Sequence, residues 1–447
     1  MAILINILIL LLCPIYWIYS GQIQVAYSFL CIYALGAICV KWIIREKISF
    51  GVYNLFFLIY GILLLWSQYL FIDGDPSGYF NHNDSVESFY KSATISVGPK
   101  KWEYLISGTI LFSWYADYPL FALWINAWKL LGWDIGVTMD NLRLFLRLQD
   151  LLFSPMILAV MAKYMSEVGV ARKTIKTACI IFGLFSYLYL TSCVYTRDLH
   201  VAFFYTLLGY YALSPKKHRF IYFKFLLIVL ICFGLRPENG MFALIFPLYY
   251  RFRNIGFSFK LIIIGVVVLL IAGLSGILDS FLSLQEGYNE RMAGITQGGI
   301  YSMFNSLPFP LPQIFNVIYS FIAPYPFILN VADTDHQGLI ALPSIGIPFI
   351  NVIMLLTLWR YVRTHHNYPV LWMFCIIILY ITLTCIVEPN TRRTFAIIPT
   401  MYMLFIAVKG HILRRKYKLI VEYTIFGLIA LNLPAILYLI AKGKLLS

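Results

Sequence analysis

From Ala2 to Ile440 the chain alternates long apolar runs with short polar breaks, and no mixed-charge stretch long enough for a soluble domain intervenes. Runs near 2–19, 22–40, 50–72, 142–162, 177–196, 199–214, 220–235, 239–250, 261–280, 339–359, 369–387, 394–408 and 419–441 predict spanning helices. About 20 apolar residues carry a helix across the hydrocarbon core, and several of these runs are shorter. Residues 104–133 hold enough apolar surface for one further span, yet a single extra crossing there would upset the alternation of the basic loops. That stretch either lies along the interface or crosses twice as a short hairpin. The expected fold is all-α, a polytopic transmembrane helix bundle of roughly 11–14 spans, with 1–447 forming one integral membrane domain.

Two longer interruptions break the pattern. Residues 73–103 form an acidic loop carrying Asp73, Asp75, Asp84 and Glu87 directly after an apolar run. Carboxylates are costly near hydrocarbon, so several together at a membrane surface point to an ion, substrate or catalytic site. Asp84 also heads the pattern Asp-Ser-Val-Glu, which is a capping box for a following helix. Residues 281–338 mix Glu286, Glu290, Arg291, prolines 308, 310, 312, 324 and 326, and Asp333, Asp335 and His336 with many apolar residues. This segment is too apolar for disorder and is expected to fold against the membrane surface, where lids over substrates are commonly found.

Composition sharpens the class. Hydrophobic residues make up 61% of the chain and charged residues 12%, about half the charge of a typical soluble domain. The net charge of +14 is gathered in short loops: Lys41, Arg45 and Lys47; Arg172, Lys173 and Lys176; Lys216, Lys217 and Arg219; Arg251, Arg253 and Lys260; Arg360 and Arg363; and Lys409 to Lys418. Short basic loops between spans mark the cytoplasmic side. The first run, which lacks a basic leader and a small-residue cleavage site, then starts inside as a retained span, and the acidic loop falls outside. No basic face with interleaved aromatics lies beyond the bilayer, so nucleic acid is not an expected partner. The aromatic fraction of 17% fits belts of Tyr and Trp at the interfaces.

The eight cysteines lie within apolar segments without CxxC or Cys/His spacing, so neither a disulfide framework nor a metal site is expected. No P-loop, GxGxxG, HExxH or GxSxG occurs, which argues against a cytosolic nucleotide-sugar domain or any resident cofactor. The chemistry-bearing residues are on the external side. Arg197-Asp198 turns one short span into the next, and Arg236-Pro237-Glu238-Asn239 splits an apolar stretch whose second half is too short to span. Glu388 precedes Arg392 and Arg393, and Arg291 lies in the long external segment. External arginines run against the positive-inside pattern, and their planar forks suit phosphate. For each, the alternative is a plain anchor at a helix end. Asp84, Asp73 and Asp75 are the candidate bases, since a carboxylate that deprotonates a sugar hydroxyl must be ionised and within reach.

The order of segments carries a resemblance. The external acidic loop is followed by YPLFALWINAWKLLGW (118–133), NLRLFLRLQDLLF (141–153), FLLIVLICFGLRPENGMFALIFPLYYRFR (225–253) and EPNTRRTFAIIPTMYMLFIAVKG (388–410). Over roughly 70–410 the chain resembles the glycosyltransferase C superfamily, multispan enzymes that use polyprenyl-phosphate-linked sugars. That resemblance implies a catalytic acid in the first external loop (Asp84, or Asp73 and Asp75), a lipid-linked sugar donor, and a glycan or lipid-linked acceptor at the outer face of a bacterial inner membrane. The O-antigen polymerases are similar in length and composition, and use external arginines such as Arg291 on polyprenyl-diphosphate substrates. A transporter or flippase is the third class, for which inverted repeats would be expected.

Overall fold

The computed structural model describes residues 2–72, 119–137, 144–192, 197–253, 311–322, 341–385 and 394–441. Every element among them is helical, as expected. Among the described residues, five stretches are long and apolar enough to cross a bilayer: Ile23–Ile44, Lys47–Trp66, Leu144–Glu167, Pro343–His365 and Tyr368–Cys385. The chain is an all-α polytopic membrane protein. Its helices pack into two compact units, Met1–Ala243 with Val331–Gly346, and Leu244–Asn330 with Ile347–Ser447.

The first unit opens with α1 (Ala2–Tyr19), α2 (Ile23–Cys39, continued by a π-helical turn over Val40–Ile44) and α3 (Lys47–Ile72). Helix α4 (Pro119–Asp134) follows, then α5 (Asp150–Glu167), α6 (Arg172–Phe185), α7 (Tyr187–Thr191), α8 (Arg197–Leu213), α9 (Ile221–Leu235) and α10 (Pro237–Ala243). Helix α5 is its centre: every residue from Leu144 to Ala162 is buried, and the helix packs against α3, α8, α6 and α2. A spanning helix covered on every side by protein rather than lipid can carry polar groups that a lipid-facing helix cannot.

The ends of these helices sort by charge. At the C-terminal end of α5, Lys163 donates to the Ile44 carbonyl at 2.8 Å. Glu167 there accepts from Tyr210 at 3.0 Å and Ser214 at 2.9 Å, and pairs with Lys216 at 3.5 Å. This basic face therefore joins the loops 41–47, 168–176 and 214–219. The N-terminal ends of α5 and α8 and the C-terminal end of α9 lie at the far face, with Arg197, Asp198, Arg236 and Glu238. By the positive-inside rule the far face is the one expected to be external.

Of the ambiguous stretch 104–133, residues 119–133 are described and lie in helix α4. A Cβ at Gly234, near the far end of α9, would lie 2.6 Å from the Leu120 Cβ at the start of α4. At the other end a Cβ at Gly136 would lie 3.7 Å from the Gln24 side chain, at the far-face start of α2. Both ends of α4 thus meet the same face, and the helix lies along it as a roof rather than crossing.

The long run read as one span over 177–196 is interrupted at Ser186, whose extended backbone ends α6 and whose hydroxyl accepts the Leu188 N–H at 3.2 Å to start α7. A serine there satisfies a donor that the broken helix leaves bare. Gly346 packs against Phe185, where an added Cβ would come within 2.4 Å of the Phe185 carbonyl oxygen.

The second unit holds α11 (Ile245–Phe252), α12 (Leu311–Ile322), most of α13 (Ala341–His365), α14 (Tyr368–Cys385), α15 (Ile398–Lys409) and α16 (Arg414–Ala441). Helices α11, α12 and α15 pack on α14, and Tyr249 of α11 donates to the Pro369 carbonyl at 3.1 Å. Tyr361 and His365 stack at 4.4 Å on one face of α13.

Candidate functional site

The chain breaks between α9 and α10 because of Pro237. Proline clashes with helical geometry in the residue before it and supplies no N–H. Arg236 accordingly adopts an extended backbone (φ −165°, ψ 110°), and Pro237 opens α10 at the position where its missing donor costs nothing. Two contacts hold this break against α8. Tyr205 donates to the Asn239 carbonyl at 2.6 Å, fully buried, and the Arg236 guanidinium pairs with Asp198 at 3.4 Å. Its Nε also approaches Glu238 at 3.6 Å.

The structure therefore brings Asp198, Arg236 and Glu238 into one cluster from two separated sequence breaks, with Arg197 adjacent to Asp198 at the start of α8. The placement is electrostatically consistent: Asp198 lies in the first turn of α8 and Arg236 caps the C-terminus of α9, each opposite in sign to the helix end it meets. Exposure divides the two acids, since the Asp198 side chain is 6% exposed and that of Glu238 57%. Arg197 lies over the Phe121 ring of α4 at 6.0 Å. Asp73, Asp75, Asp84, Arg291, Arg392 and Arg393 lie outside the described residues.

Beneath the charged cluster the roof helix contributes an aromatic layer. Phe121 meets His200 edge-on at 5.5 Å, and Trp124 meets Phe153 at 6.0 Å and donates its indole N–H to the Gln149 side chain. Phe153 packs on His200 at 4.5 Å. This contact and the Glu167–Ser214 hydrogen bond each join residues 47 apart in sequence. Helices α5 and α8 hence run parallel and in register, and the same offset puts Asp150 level with Arg197. Asp150 is 0% exposed, and neither carboxyl oxygen has a hydrogen-bond partner among the described residues. Arg147, also buried, acts on it electrostatically.

Asp150, Arg147, Gln149, Trp124 and His200 were not singled out from sequence. The signal was present: Arg143, Arg147 and Asp150 recur at i, i+4 and i+7 in an otherwise apolar run, which places charge on one helix face. Chemically, the site offers guanidinium groups at helix ends, a carboxyl and an amide group at the level of Arg197, and aromatic rings one turn below. Among the described residues no group of His, Cys, Asp and Glu is arranged to hold a metal ion. The chain matches no protein-family model, and the comparisons with curated proteins and with solved structures give no match.

Proposed function

We propose that the chain is a membrane glycosyltransferase that moves a sugar from a polyprenyl-phosphate-linked donor to a surface glycan, O-antigen, lipopolysaccharide or capsule, at the outer face of a bacterial inner membrane. The observation that carries this reading is the pairing of Arg236 with Asp198 and Glu238, with Arg197 adjacent to Asp198, at the far face of a buried helix bundle. Arginines held at that level are matched to a phosphate at the lipid–water boundary, where the planar fork makes paired, charge-assisted bonds. A lipid-linked donor also fits a chain without a nucleotide-binding signature.

In this reading the acceptor hydroxyl attacks the anomeric carbon, a new C–O bond forms, and the bond to the donor phosphate breaks. The electron pair leaves with the phosphate, whose charge Arg236 and Arg197 offset. A carboxylate of the 73–103 loop, Asp84 first, with Asp73 and Asp75 as the alternatives, takes the hydroxyl proton.

Two arginines at the same face also suit a diphosphate, so a repeat-unit polymerase acting on polyprenyl-diphosphate oligosaccharides is the second reading. Deletion of the gene separates the two. A single-sugar transferase predicts an envelope glycan lacking one residue with its chain-length banding intact, whereas collapse of the bands to one repeat unit overturns it in favour of the polymerase.

A further inference from the structure

The buried carboxyl of Asp150 has no place in the phosphate cluster, and its surroundings call for one. A carboxyl held away from water without hydrogen-bond donors is unfavourable, and interiors rarely keep such a group without a purpose. It lies level with Arg197 by the register of α5 on α8. Along the chain Gln149 precedes it and Phe153 follows one turn on, and Trp124 of the roof helix meets both. Carboxyl and amide groups set among aromatic faces are the chemistry that binds a polyhydroxylated ring, hydroxyls to the polar groups and carbon–hydrogen faces to the rings.

We infer that Asp150 is a sugar-recognition residue, whose carboxyl takes up hydroxyl groups of the glycan head once the N-terminal half of α4 moves off the far face. The inference rests on the lipid-linked-sugar reading above and adds to it where the sugar sits: at the level of Arg197, between α5, α8 and the roof helix. The phosphate and sugar contacts then belong to different residues, which makes them separable.

The test uses the full chain in lipid nanodiscs, with thermal melting followed as ligand is titrated. The probes are purified polyprenyl phosphate and the polyprenyl-linked sugars extracted from the source bacterium. Wild type should bind both, the sugar-bearing lipids at least about tenfold more tightly, the scale of hydrogen bonds to a charged group. Asp150→Asn should bind polyprenyl phosphate as wild type does and lose most of the added affinity for the sugar-bearing lipids. A wild type that ignores polyprenyl phosphate overturns the function reading. A wild type that binds both probes equally, or an Asp150→Asn that still prefers the sugar-bearing lipids, overturns the role of Asp150 alone. A sodium-dependent rise in melting temperature that Asp150→Asn abolishes would overturn it in favour of a cation site.

Discussion

Arg236 meets two carboxylates at almost equal distance, Asp198 at 3.4 Å and Glu238 at 3.6 Å. Bare Coulomb attraction at the effective dielectric of protein sites gives about 5 kcal/mol for the 3.4 Å pair, and the 3.6 Å pair differs from it by only about 6%. Solvent then decides. The Asp198 side chain is 6% exposed and its charge is poorly screened, so removing the arginine strands a buried charge, at a cost of about 3–5 kcal/mol. Glu238 is 57% exposed, and exposed pairs contribute about 0–1 kcal/mol. Double-mutant cycles with Arg236→Gln, Asp198→Asn and Glu238→Gln, read by reversible unfolding in mixed detergent micelles, isolate each pair. The expected coupling is about 1.5–3 kcal/mol to Asp198 and below about 0.5 kcal/mol to Glu238. Equal couplings, or a larger one to Glu238, would refute the claim that the buried pair fixes the α9–α10 break against α8.

Further outcomes follow from other parts of the chain. Gly240→Ala should destabilise the protein by about 1–3 kcal/mol, because its Cβ would come within 2.5 Å of the Phe233 Cα at the break; an unchanged unfolding midpoint would contradict this. His218, edge-on to Tyr210 and Tyr211 beyond the end of α8, has its pKa held below the ordinary 6.5 by burial and by Lys224, Lys163 and Lys216, against the opposing pull of Glu167. The unfolded chain therefore binds more protons, so stability should fall as pH drops below about 6.5. His218→Phe should flatten that part of the melting profile, and a retained slope would assign it elsewhere. In a cysteine-free background, Tyr19→Cys, 91% exposed at the α1–α2 turn, should react with an impermeant thiol reagent applied outside cells, and Lys217→Cys only after the membrane is opened. The reverse pattern would invert the topology. Asp84→Asn should lower transfer at least about a hundredfold with normal membrane levels, and full turnover would remove Asp84 from catalysis.

The sequence made the charged breaks legible because they violate strong rules. Arg197-Asp198 and Arg236-Pro237-Glu238-Asn239 interrupt apolar runs on the side that the basic loops leave free, and Pro237 alone dictates a helix end. Their partnership was not legible, since nothing local in either break specifies that Arg236 reaches Asp198 across α8 and α9. Helix α4 shows a different limit. Its 16 residues are apolar enough for either a span or a roof, and only the contacts of Leu120 and Gly136 at its two ends decide between them. Asp150 was hidden by its neighbours: sorting charges by loops passes over a lone acid inside a span, and its level with Arg197 arises from the packing of α5 on α8.

The central claim, transfer of one sugar from a lipid-phosphate donor through the arginine cluster, is tested most directly by supplying a labelled polyprenyl-phosphate sugar to membranes containing the protein and its glycan acceptor. Wild type should add a single labelled sugar, and Arg236→Lys, which keeps the charge but loses the paired fork, should do so with weakened donor affinity and an unchanged melting temperature. No labelled product from wild type, or a ladder of lengthening chains, would contradict it.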